Sequence, residues 1–252
     1  MNINNVKKSF KKYVCNFNLK NYDINLKYSH SFRVAKQAKL IARSLKLNKE
    51  NIVLASVIGL LHDIGRFKQL AEYNTYDDTS LDHGDYGAKL LFEDNLINTF
   101  DIDKKYYDII KFSIKNHNKY SINLEESPRD KFILHAKIIK DADKLDILKL
   151  FSSNNVSPLD NSLKTGVSEE VYKQFCSGVL VKSGLVKSMP ERLLSNLAFF
   201  YDMSFTFTKQ QFIKKHYKNL LKTYSKKLNE TDFKTITKLL SVFNDNINKS
   251  SQ

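Results

Sequence analysis

The chain has 252 residues, 42% apolar and 27% charged, with only 7 Gly and 3 Pro, which excludes collagen-like, mucin-like and disordered chains and leaves an ordinary globular protein. At this length a core forms without disulfide or metal staples, so any metal site is expected to serve function; Cys15 and Cys176 stand far apart with no paired spacing, which excludes a disulfide framework and a zinc ribbon. The net charge of +14 invites a polyanionic partner, yet residues 1–49 carry +11 and residues 204–250 carry +7, leaving −4 on the remainder.

The first residues are polar where a signal peptide needs an apolar stretch, and no later run approaches the roughly 18 apolar residues of a membrane span. A reducing cytoplasm is the expected location, with no membrane partner. Scarce Gly and Pro, with apolar residues three and four apart, predict an all-α fold. Val6, Phe10, Tyr13, Val14 and Phe17 follow one helical face; Phe32, Ala35, Ala38, Leu40, Ile41 and Leu45 make a broader one. Residues 52–61, apolar nearly all round, read as a buried central helix bounded by Gly65. Segment 68–82 reads as irregular. Helices follow at about 83–94, 103–116 and 128–150, the last opened by Ser127 as cap and Pro128 in its first turn. Residues 152–166 are turn formers and read as a loop. A short helix near 168–177, a helix from Pro190 and two lysine-rich amphipathic helices, about 208–227 and 230–246, complete the chain.

Four of the six histidines share a context with acids. His62 and Asp63 end the buried helix, where both would be costly without partners, and a divalent metal is one such partner. Imidazole and carboxylate together suit Mn, Fe, Zn, Co or Ni, and other donors stand elsewhere: His30 before a helical run, His83 in Leu-Asp-His-Gly-Asp-Tyr-Gly, His117 at a helix end, and Asp141, Asp143 and Asp146 in Lys-Asp-Ala-Asp-Lys-Leu-Asp. Asp143 and Asp146 share a helix face that Asp141 does not. His135 and His216 belong to no such segment and read as structural.

The order His30, then His62-Asp63 in Leu-Leu-His-Asp-Ile-Gly-Arg, then Asp143 in Asp-Ala-Asp-Lys-Leu-Asp resembles the HD superfamily of metal-dependent phosphohydrolases over roughly residues 25–150. The resemblance implies an HD-type helical bundle over residues 1–150, with residues 151–252 as a C-terminal helical cap packed on it. It implies that His30, His62, Asp63 and Asp143 ligate a divalent metal, and that His83 and His117 bind a second ion, as in the two-metal members, with Asp63 bridging. The chain departs from the HD-GYP group in having a single His117 and no Gly-Tyr-Pro after it, which argues against a cyclic dinucleotide substrate.

One or two ions (Mn, Fe, Co, Ni, Zn or Mg) would activate water and screen phosphoryl oxygens. In that chemistry Asp63 shares the work of general base, Arg66 and Lys144 contact the phosphate, and Arg33 is a weaker candidate for the same contact. Asp141 and Asp146 cap helices or orient ligands. The expected substrate is a phosphomonoester or phosphodiester, a nucleotide or related small molecule, with segments 68–82 and 152–185 lining its pocket. Two rival readings lack turnover: a nucleic-acid-binding protein gripping phosphates with its basic ends, and a metal-binding regulator. The lysine-rich terminal helices are otherwise solvated faces.

Overall fold

The computed structural model describes residues 1–76, 78, 80–125, 130–152 and 165–249, and among these the regular structure is helical with no strand. The chain is all-α. It divides into two compact units, Met1–Asp146 and Ile147–Gln252.

In the first unit, α1 (Ile3–Val14) is capped by the Asn2 side chain and buries Val6, Phe10 and Val14, spaced four apart. Phe10 meets the edges of Phe32 and Phe67. The long helix α2 (Tyr22–Ser44) buries Val34, Ala35, Ala38, Ile41 and Ala42 against α3 (Lys49–Leu61), which is buried without interruption from Leu54 to Leu61. Their backbones approach so closely that a Cβ on Gly59 would lie 2.8 Å from Ala35 Cα.

The buried helix ends at Leu61, as its apolar run predicts, but Gly65 does not open an irregular stretch. A helix α4 (Ile64–Tyr73) runs through it and stops at Asn74, which adopts a left-handed conformation with φ 50°. Segment 68–82 is thus helical in its first part. Gly65 serves contact: a Cβ there would sit 2.7 Å from the His83 carbonyl oxygen and 2.8 Å from the Gly87 nitrogen, so its bare Cα lets α5 (His83–Phe92) lie against α4. Two 3-10 turns, Leu96–Thr99 and Lys104–Tyr106, precede α6 (Tyr107–Asn116). Helix α7 (Asp130–Ser152) follows; the expected Ser127-Pro128 cap lies outside the described residues.

His135 on α7 is fully buried, and its Nε2 donates to Asn51 Oδ1 at 3.2 Å. Burial pushes its pKa down to about 4. Since the folded value lies below the ordinary 6.5, the unfolded chain binds the extra proton in that interval. His135 therefore contributes stability above about pH 6.5 that is lost as pH falls from 6.5 toward 4. Melting temperatures of His135→Gln are expected to decline less steeply than wild type over that interval, and parallel curves would refute the assignment.

The second unit has its own core. Helix α8 (Glu169–Cys176) is followed by α9 (Met189–Asp202), which opens with a full capping box between Ser188 and Glu191 and carries Pro190 in its first turn. The helix expected over 208–227 is divided: α10 (Thr206–Gln211), a π-helical stretch at Phe212–Tyr217 and α11 (Lys218–Ser225). The wide π turn keeps both Phe212 and His216 inside. Helix α12 (Glu230–Lys249) contributes Phe243, which stacks on Phe175 and meets the rings of Phe200 and Phe212. The loop expected at 152–166 falls largely on residues outside those described.

Candidate metal centre

The apolar periodicity that buries one face of α2 also buries His30. His62 closes α3, and Asp63 takes the position before the first turn of α4. A carboxylate there ordinarily accepts from the first N–H groups of its helix. Asp63 makes no such bond and turns toward the histidines. His83 opens α5, His117 closes α6 and Asp143 stands within α7.

These six side chains converge. On one side His30 Nε2 lies 3.2 Å from His62 Nε2 and 3.0 Å from Asp143 Oδ1, with Asp63 Oδ2 3.5 and 3.4 Å from the two rings. On the other, His83 Nε2 lies 3.0 Å from His117 Nε2, with Asp63 Oδ1 3.3 and 3.7 Å away. Donors held about 2.1 Å from one ion at tetrahedral or octahedral angles are about 3.0–3.4 Å apart, so the spacing suits a cation on each side. Asp63 gives one oxygen to each group.

The outer nitrogens fix the ring orientations. His30 Nδ1 donates to Asp146 Oδ2 at 2.7 Å, and His83 Nδ1 to Asp78 Oδ1 at 2.9 Å. His62 and His117 donate from Nδ1 to the carbonyls three residues earlier, Gly59 and Ile114, at 2.9 and 2.6 Å. With each proton held on Nδ1, every neutral ring presents its Nε2 lone pair inward. Four lone pairs and two carboxylates facing one another in a buried space require positive charge.

The titration behaviour shows the same demand. Burial alone would lower His62, but Asp63 and Asp143 raise it to about 10. Burial would raise Asp63 and Asp143, yet Lys27 and the histidines hold the first, and His30 and His62 the second, well below the carboxylate range. His83 goes the other way, pushed by burial down to about 4, which leaves it neutral at physiological pH.

Arg33 and Arg66 occupy equivalent places behind the two groups. Arg33 grips Asp146, the acceptor of His30, with Nε 2.7 Å from Oδ1 and Nη2 2.9 Å from Oδ2. Arg66 Nη2 lies 2.8 Å from Oδ2 of Asp78, the acceptor of His83, while its Nη1 donates to Gln69 Oε1 and the Tyr76 carbonyl. Both guanidinium groups are thus engaged by the protein behind the histidines. Lys144 is buried on α7 next to Asp143, and Asp141 is fully buried there. Of segment 68–82, Tyr76 and Asp78 lie by the centre; of segment 152–185, residues 153–164 lie outside those described and the rest belongs to the second unit.

Two residues escape sequence reasoning. Asp78 sits in a stretch with no periodicity. Lys27 was legible in principle, being three positions before His30 on one helix face; its Nζ lies 2.6 Å from Asp63 Oδ2.

Asp146→Ala would leave His30 Nδ1 and Arg33 without their acceptor. A titration against a competing chelator is expected to show a 10- to 100-fold loss of metal affinity. Wild-type affinity would mean that the carboxylate does not orient the ligand.

Residues 28–148 match the family model described as the HD domain. No curated protein and no solved structure matches the chain.

Proposed function

We propose, from the match of residues 28–148 to the HD domain, that the chain is a metal-dependent phosphohydrolase that hydrolyses a small phosphate ester with two divalent ions. The observation that carries this reading is Asp63, whose two oxygens face separate histidine groups. His30, His62, Asp63 and Asp143 would hold one ion; His83, His117 and the other Asp63 oxygen would hold the second. Bound divalent ions acidify water and offset the charge of phosphoryl oxygens.

The protein's own part is orientation. Asp63 is held strongly ionised, which suits it to bridge ions and makes it a weak base, so that it would orient the attacking water by accepting its hydrogen bond. Asp146 and Asp78 set the tautomers of His30 and His83. We assign Arg33 and Arg66 a positioning role, because their forks hold these two carboxylates. Lys144, adjacent to Asp143, remains the α7 candidate for a phosphate contact.

No described helix is long and apolar enough to cross a membrane. A nucleotide or related phosphomonoester or phosphodiester is the substrate class proposed. Elemental analysis of the purified protein, with a screen of phosphate esters in added Mn, Co, Ni and Mg, tests it. Bound metal with turnover of at least one ester is expected; metal without turnover would leave a binding protein, and no metal would remove the reading altogether.

A further inference from the structure

We propose that Lys27 is the residue that binds a phosphoryl oxygen of the substrate at the open side of the centre. This rests on the phosphohydrolase reading above, but its test does not require turnover.

Exposure locates the open side. The side chains of His30, His62, Asp63, His83 and His117 are at most 7% exposed, whereas Asp143 and Lys27 reach 16% and 17%. Asp78 and Arg33 are more exposed, at 37% and 33%, but stand behind the rings; of the groups that face the inner ring nitrogens or Asp63, Asp143 and Lys27 are the ones open to a phosphate ester from solvent. Lys27 Nζ reaches Asp63 Oδ2 at 2.6 Å, so its charge lies one hydrogen bond from the atom proposed to bridge the ions.

The ammonium is also available. It has three donors, and among the described residues Asp63 is its one acceptor. The ammonium lies over the Tyr76 ring, whose centroid is 5.7 Å from Nζ and whose hydroxyl donates to Asp23 Oδ1 at 3.2 Å. Arg33 and Arg66 are each already committed to a carboxylate, Asp146 and Asp78, that lies behind the histidine rings and not between them. When ions share the charge of Asp63, the pull of that carboxylate on Lys27 weakens, and an oxygen of a bound phosphate becomes the competing acceptor. A compact ammonium suits this task as a point charge on a flexible stem.

The test measures binding of inorganic phosphate to the full chain loaded with Mn, by calorimetry, in wild type, Lys27→Met and Lys27→Arg. Metal content is determined on the same samples. The expected result is equal metal content, with a phosphate affinity about 10- to 100-fold weaker in Lys27→Met, the worth of a charge-assisted hydrogen bond. Lys27→Arg, which keeps the charge, should lie nearer to wild type. Equal phosphate affinity in wild type and Lys27→Met overturns the proposal, as does a wild type that binds no phosphate. Loss of metal from Lys27→Met, with or without loss of phosphate affinity, would make Lys27 a support of the cluster and also overturn it. If Lys27→Met fails to fold, a Lys27→Gln variant carries the comparison. A wild type that binds phosphate but cleaves no ester refutes the activity while leaving the role of Lys27 to be decided by the affinities.

Discussion

Asp63→Ala is expected to empty both metal positions at once, where loss of any one histidine weakens a single group. Oδ2 faces His30 and His62, and Oδ1 faces His83 and His117, so one substitution removes a ligand from each side. The four rings would still present their lone pairs, with only Asp143 left to supply charge to the first group. If the ions together contribute several kcal/mol to the transition state, ester hydrolysis falls by about 10³-fold or more. Elemental analysis and steady-state rates check both halves. A variant that retains two equivalents of metal would show that Asp63 is a neighbour of the ions and not their bridge.

A second large effect is thermal. A cation binds the folded arrangement of donors from α2, α3, α5, α6 and α7, which the unfolded chain does not possess. At an ion concentration about a thousandfold above Kd, the gain is about 4 kcal/mol. For a chain of this size each kcal/mol shifts Tm by about 2–4 °C, so Mn-loaded protein should melt about 8–16 °C above chelator-treated protein. Circular dichroism at 222 nm suffices to follow it. Coincident melting curves would mean that the donors gain nothing from an ion, and the site assignment would fall.

The helical class was legible because its signal is distributed: Val6, Phe10 and Val14, or the continuous burial of Leu54–Leu61, repeat one message many times. The end of α3 before Gly65 was legible, but the helix that passes through this glycine was not, because a missing side chain has two uses. Read along the chain, it ends a helix; in three dimensions it admits the backbone of His83 and Gly87, a contact that no local pattern encodes. The division of the 208–227 helix was hidden for a related reason, since the π turn at Phe212–Tyr217 keeps the residue types and the amphipathic rhythm of an ordinary helix.

At the centre, residue chemistry marked out His30, His62, Asp63, His83, His117 and Asp143 as candidates, and their convergence is a property of the folded chain. The use made of the arginines was not legible. Guanidinium groups near histidines suggest phosphate contacts, and the forks of Arg33 and Arg66 each hold a carboxylate, Asp146 and Asp78. Nothing in a linear sequence states which of two anions, a carboxylate or a substrate, will claim such a fork.

The two supporting carboxylates differ in their surroundings. Asp146 is 2% exposed and projects from within α7, whereas Asp78 is 37% exposed and lies beyond the end of α4. His30 and Asp143 likewise belong to helix interiors, with His62 at the end of α3, while His83 and His117 both sit at helix ends. Helix ends and exposed connections open locally far more often than buried helix interiors. The consequence, for the two ions proposed, is a difference in residence time: an ion at His83 and His117 should leave within brief openings around Asp78, whereas an ion at His30 and Asp143 would stay until a long helix gives way. Dilution of fully loaded protein into chelator would then release metal in two phases of equal amplitude, and the faster one should be accelerated by Asp78→Ala.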